Sequence, residues 1–268
     1  MKGVFFSDID NTIYDFRQEI HPQTVCDVNW AAKQGVMLVL ATGNGLTNNV
    51  KILVKKFKTP YSILLNGSLI YDWKNKRTIY KKTIPDEIAS SVINLAVAHQ
   101  VSVQWWEENS FYFSQGSDPL RVAKTRRFLQ NSPINFANQP NGAVLKIELI
   151  ADPAKIDQVY KLIAEWPVKL VRMLPRRVEI VAQNVTKASA IKWFCQNFNV
   201  SLGKIGVIGD SPNDLEMLSL SQKSYAVANA QPEIQKIASL IVADSLSNGV
   251  GQALRHFVEK TVSAPEPS

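Results

Sequence analysis

Four short segments carry side chains that could do chemistry together. The first is Asp8-Ile9-Asp10-Asn11-Thr12, which follows a short apolar run. Two carboxylates at i and i+2 on a strand tip lie close enough to share one cation. Mg²⁺ takes oxygen ligands in near-octahedral geometry and is content with one or two carboxylates, completed by waters and phosphate oxygens. A carboxylate beside a bound phosphate can also attack phosphorus, while a second acid protonates the leaving oxygen. Taken alone, the segment equally fits an ordinary polar turn, where Asp and Asn are common.

The second segment is Thr42-Gly43, a hydroxyl and a glycine amide after the apolar run Val36 to Ala41. Such a turn suits phosphate oxygens, although Thr-Gly also caps helices generally. Lys187, in Asn184-Val185-Thr186-Lys187-Ala188, opens a helix-like stretch, against the preference of a helix start for anions. An exposed helix lysine is the plain alternative. The fourth segment, Gly209-Asp210-Ser211-Pro212-Asn213-Asp214, follows the apolar run Ile205 to Ile208. Asp210 would add a carboxylate to a cation site, with Asn213 and Asp214 supporting it; Asp214 also reads as a helix N-cap.

The elements that must position these residues alternate between strand and helix. Gly3 to Ile9, Val36 to Ala41, Tyr61 to Leu65, Ile205 to Ile208, Lys223 to Val227 and Leu240 to Val242 read as strands. Between them, Pro22 to Gln34, Leu46 to Lys56, Lys187 to Asn197, Pro232 to Ala238 and Gly249 to Val258 have helical patterning, and a helix starts over Asp214 to Ser219. This alternation predicts a Rossmann-like α/β parallel sheet, with ligands at the carboxyl ends of its strands. The regime changes near Thr83. Helices are expected over Pro85 to His99, Asp118 to Leu129 and Pro153 to Glu165. Strands are expected over Val101 to Trp106, Phe111 to Ser114, Val144 to Ile150, Val168 to Met173 and Val178 to Ala182. That block reads as an inserted α+β domain over 83–180. It leaves a discontinuous core of 1–82 and 181–262, and a flexible tail over 263–268.

Composition narrows the class further. Hydrophobic residues make up 46% and charged residues 20%, an ordinary globular balance. No apolar stretch approaches the length of a membrane span, and the first residues lack a secretory pattern, so the expectation is a cytoplasmic protein with no membrane partner. Cys26 and Cys195 read as two buried free thiols, and His21, His99 and His256 form no ligand spacing. The net charge of +7 is spread over short clusters rather than a stripe, which argues for an anionic small molecule and against a nucleic acid.

Taken in order, the acidic strand tip, the Thr-Gly turn, the lysine and the GDxxND loop resemble the haloacid dehalogenase (HAD) superfamily. The insertion between the second and third motifs resembles its Cof-like, type IIB cap subgroup. Asn66-Gly67, Ala228-Asn229-Ala230 and Asn248-Gly249-Val250 are further local matches, and the likeness spans residues 1 to about 257. The resemblance implies a Mg²⁺-dependent phosphatase acting on a small phosphorylated metabolite, a sugar phosphate by preference, as a monomer or weak homodimer. It implies Asp8 as nucleophile and Asp10 as general acid/base, with Asp8, Asp10 (by its carbonyl), Asp210 and Asp214 around the metal. Phosphate would lie against Asp8, Ile9, Asp10, Thr42, Gly43, Asn66, Gly67, Lys187 and Asn213. Thr42 and Lys187 are implied to be catalytic too, Thr42 by binding the transferring phosphoryl group and Lys187 by offsetting its charge and that of Asp8. Many relatives carry Arg after Thr-Gly; here Asn44 stands there, which bears on substrate identity. A phosphomutase of the phosphomannomutase type and a non-catalytic regulator that binds a phosphorylated ligand are the competing readings. Trp105, Trp106, Arg121, Arg172, Arg176 and Arg177 are the candidates for substrate contacts from the insertion.

Overall fold

The computed structural model describes residues 1–15 and 17–262, so the expected tail over 263–268 lies outside the described residues. In chain order the elements are β1 (Gly3–Ser7), α1 (Pro22–Lys33), β2 (Val36–Ala41), α2 (Asn48–Phe57), β3 (Tyr61–Leu64), β4 (Leu69–Asp72) and β5 (Arg77–Lys81). There follow α3 (Asp86–Ala98), β6 (Ser102–Trp106), β7 (Phe111–Ser114), α4 (Pro119–Phe128), β8 (Asn135–Ala137), β9 (Lys146–Ile150), α5 (Pro153–Ile163), β10 (Val168–Leu174) and β11 (Arg177–Ala182). The chain closes with α6 (Lys187–Asn197), β12 (Ile205–Gly209), α7 (Leu215–Leu218), β13 (Ser224–Val227), α8 (Pro232–Ile237), β14 (Leu240–Val242) and α9 (Gly249–Thr261).

Two sheets result. The first runs β14-β13-β12-β1-β2-β3-β4-β5, parallel from β14 to β3 and antiparallel over β4 and β5. Val4 in the middle of β1 pairs with Ile205 on one side and Met37 on the other. Residues Val4, Phe5 and Phe6 are fully buried, as a strand covered on both faces must be. This parallel core is the α/β architecture expected from the alternation.

The second sheet, β10-β11-β9-β6-β7-β8, is antiparallel except for the β7–β8 pair. Strand alternation divides its faces. Trp105 packs with Val92 and Val159 of α3 and α5, whereas the next residue, Trp106, joins Phe111 and Leu145 in the hydrophobic cluster of the first sheet. One face of this sheet therefore lies against the parallel core.

Three local expectations need correction. The β4–β5 hairpin went unread, because it is an antiparallel edge with half-exposed, charged residues on β5. Helix α2 begins at Asn48 rather than Leu46, since Thr47 is extended and the Asn48 amide donates to Ser132 Oγ at 2.7 Å. Cys26 is exposed, while Cys195 is buried; both are free. The histidines end helices or bond locally, His21 as the N-cap of α1 and His256 with the Tyr225 hydroxyl at 2.9 Å.

Candidate active site

Asp8 follows β1 directly, and its amide still donates to Ile208 O at 3.0 Å, as if the strand continued. The chain then turns: Ile9 is fully buried and its carbonyl accepts the Thr12 and Ile13 amides, so Asp8 and Asp10 are left pointing to the carboxyl end of the sheet. Lys187, the first residue of α6, is completely buried and donates to Asp8 Oδ1 at 2.5 Å and Asp214 Oδ1 at 2.7 Å. Helix α6 can begin here because Thr186 and Ser189 cap each other. Lys187 is thus buried between two carboxylates, not exposed on a helix.

Asp214 is fully engaged. Its Oδ1 takes Lys187, and its Oδ2 accepts the amides of Asp210 and Ser211 at 3.0 and 3.2 Å. That fold-back needs Gly209, where an added Cβ would stand 2.4 Å from Asp214 Cγ. Asp210 Oδ1 faces the Thr12 hydroxyl at 3.5 Å. Carboxylate oxygens of Asp8, Asp210 and Asp214 all lie within 4.8 Å of one another, each residue buried. The Asp10 carboxylate is outside that group; its Oδ2 accepts a hydrogen bond from Asn44 Nδ2 at 2.8 Å, and its buried Oδ1 has no hydrogen-bond partner.

Burial raises the Asp8 carboxyl well above the usual range against the pull of Lys187, and Asp214, Asp210 and Asp10 add to the rise. Asp210 is pushed up to about 7, by burial first and by Asp214 next. Asp10 is raised by burial, against Lys187, Arg177 and the Asn44 hydrogen bond. Burial pulls the Lys187 ammonium down, but Asp214 and Asp8 more than offset it and hold the lysine charged. Three buried carboxyls and the half-buried Asp10, facing one ammonium, form a negative site that a divalent cation fits; Asp8 and Asp210 are placed to hold it, with Asp214, whose oxygens are already engaged, closing the group.

A cavity of about 290 Å³ opens over these residues, lined among others by Asp8, Asp10, Gly43, Asp210 and Asn213. Thr42, Asn66, Gly67, Ile9, Lys187 and Asp214 are not in its lining but lie behind it. Thr42 Oγ1 accepts the Asn44 amide at 3.1 Å. Leu65, Asn66 and Gly67 form a run of left-handed residues, at φ 53°, 57° and 101°. Gly67 brings this run against the Lys187 loop, where a Cβ would stand 2.2 Å from Thr186 O. A larger cavity of about 620 Å³, beside α6 and α7, includes none of these acids.

The second sheet completes the wall with residues the sequence did not single out. Lys146 on β9 is fully buried and bonds Glu148 Oε1 at 2.8 Å, Glu179 Oε1 at 3.0 Å and Gly43 O at 2.9 Å. Glu179 also accepts from Asn66 Nδ2 at 2.6 Å, and Asn213 Nδ2 donates to Asn66 Oδ1 at 3.0 Å. Charged residues inside otherwise apolar strands, as in Leu145-Lys146-Ile147-Glu148 and Val178-Glu179-Ile180, were the signal available. Of the candidates from the insertion, Arg177 lines the acid cavity. Arg172 and Arg176 instead pair with Asp157 and Asp152, and Trp105 is sealed in the core. Asn229 holds the turn after Asp10 by donating to Asn11 O at 2.7 Å, whereas Asn248 bonds Asp27, away from these acids.

The profile of the haloacid dehalogenase-like hydrolases matches residues 5–254. The chain belongs to that family. A phosphoglycolate phosphatase of Methanothermobacter thermautotrophicus is 25% identical over 252 residues, covering 94% of this chain and 96% of that protein. The 5-amino-6-(5-phospho-D-ribitylamino)uracil phosphatase of Bacillus subtilis is 21% identical over 251 residues, covering 94% of each. Among solved structures, a HAD subclass IIB sugar phosphatase superposes with a TM-score of 0.84 at 22% identity, over 95% of this chain and 98% of that one. The fold of this HAD hydrolase is thus that of the IIB architecture.

Proposed function

We propose that this hydrolase is a Mg²⁺-dependent phosphatase for a small phosphorylated metabolite, a sugar phosphate by preference, working through an aspartyl-phosphate on Asp8. One observation carries the reading: Asp8, held by Lys187, and Asp10, held by Asn44, share one cavity at the tip of β1. Two similar phosphatases named for phosphorylated small molecules, and a solved structure named a sugar phosphatase, support the substrate class.

Asp8 attacks phosphorus while the phosphorus–oxygen bond to the leaving group breaks, and Asp10 passes its proton to that oxygen. The raised Asp10 carboxyl suits this role, because burial keeps a proton available to give. Asp10 then takes a proton from water as that water attacks the phosphoryl group, releasing phosphate and restoring Asp8. Lys187 offsets charge on Asp8 throughout, and Asp214 orients both Lys187 and the Asp210 loop. A Mg²⁺ ion held by Asp8, Asp210 and the Asp10 carbonyl would supply charge neutralisation for the transferring phosphoryl group. With both Asp214 oxygens already engaged, we place that residue beside the ion as a support. The inserted sheet acts as a cap over Asp8, and two free thiols agree with a reducing cytoplasm.

The test is phosphate release from p-nitrophenyl phosphate and a panel of sugar phosphates, with Mg²⁺ or with EDTA. Turnover that needs Mg²⁺ and falls at least about a thousandfold in Asp8→Asn is the expected outcome. A folded wild type that releases no phosphate from any compound, or an Asp8→Asn protein that keeps its rate, overturns the reading.

A further inference from the structure

A second cavity, of about 270 Å³, adjoins the acid site and shares Asn44, Phe128 and Arg177 with it. Resting on the phosphatase reading, we propose that this cavity holds the leaving group and selects one that carries an anionic substituent, a carboxylate or a second phosphate.

Its polar atoms are waiting for a ligand. Gln104 Oε1, Trp106 Nε1, Arg121 Nε and Arg177 Nε are all buried without a hydrogen-bond partner, and all four residues line this one space. Buried polar groups are nearly always satisfied, so three donors and an acceptor left open around one cavity mark a binding site. Trp106 is 4% exposed and Gln104 6%, so solvent does not serve them.

The charge pattern sets the ligand's sign. Arg121, Lys124 and Arg177 line the cavity against the single carboxylate of Glu148, and Arg177 already bonds Glu148 at 3.1 Å. Arg121 makes no hydrogen bond or ion pair with any described residue, in contrast to the paired Arg172, Arg176 and Arg177. A half-buried guanidinium with no partner is a ready fork for a carboxylate or phosphate. The walls are flat and apolar: Trp106 and Phe111 stack at 4.1 Å between ring centroids, and Phe128 spans both cavities.

The experiment compares matched substrates: phenyl phosphate with 4-carboxyphenyl phosphate, and fructose 6-phosphate with fructose 1,6-bisphosphate. In the wild type, kcat/KM for the anionic member of at least one pair exceeds that of its partner about tenfold, and the pair that responds tells carboxylate from phosphate. Arg121→Met brings the ratio close to one, mainly through KM, while Arg176→Met, at a surface pair, preserves it. Melting temperatures of both variants establish that they are folded. Equal efficiency within both wild-type pairs, or an Arg121→Met protein that keeps the ratio, overturns the proposal. Titration with 4-hydroxybenzoate and phenol decides the cavity's preference without turnover. Tighter binding of 4-hydroxybenzoate that Arg121→Met abolishes upholds it even if phosphate release fails; equal binding excludes the carboxylate and, together with an unresponsive bisphosphate pair, sinks the proposal.

Discussion

At the residue scale, Asn44 has the most direct hold on the chemistry. Its side-chain amide donates to Asp10, and donation to the charged form lowers that carboxyl. In Asn44→Leu the Asp10 carboxyl rises further, so the alkaline limb of the pH–rate profile moves to higher pH and kcat falls about tenfold. A profile that superposes on the wild type would mean Asn44 does not tune Asp10. The sequence made Asp8, Asp10 and Asp210 legible, because an acid directly after an apolar run has few structural reasons to be there. It did not reveal what Asn44 holds, nor that Lys187 is buried, since both facts depend on residues more than thirty positions away.

At the element scale, β9 and β11 carry a buried network of Lys146, Glu148, Glu179 and Arg177 that fastens the second sheet to Gly43 and Asn66. Lys146→Met leaves two buried carboxylates without their ammonium, and a loss of about 3–5 kcal/mol in urea unfolding is expected. Acid should loosen the same joint. Burial tends to raise the Glu148 carboxyl, but Arg177 and Lys146 prevail and bring it from its ordinary 4.5 down to about 2. Its stabilising contribution is therefore complete above about pH 4.5 and is lost as pH falls toward 2. Melting temperature against pH tests this: Glu148→Gln should flatten the curve between those values. From the sequence these strands were visible, but Lys146, Glu148 and Glu179 within them were not singled out. Only stacking on the parallel core turns their face inward, and no periodicity within the strands records such a stacking partner. Strand β5 escaped for the opposite reason, being an edge with too little burial to imprint a pattern.

At the scale of the whole molecule, the hydrophobic cluster of the first sheet includes Trp106, Phe111 and Leu145 from the second, so the two sheets meet through apolar as well as charged contacts. Mg²⁺ together with orthovanadate should stabilise the folded state by the mass-action amount, about 2.7 kcal/mol at a hundred times Kd, and so raise the melting temperature. Scanning calorimetry should show that rise for the wild type and little of it for Asp210→Asn. The position of β1 has one more consequence, for the growing chain. Its neighbour β2 emerges from the ribosome soon after it, but its other neighbour, β12, is among the last strands made. Through most of synthesis one edge of a buried, largely apolar strand lacks its partner, and such edges recruit foreign strands. Nascent chains halted before Ile205 should therefore depend on chaperones, while completed chains should not.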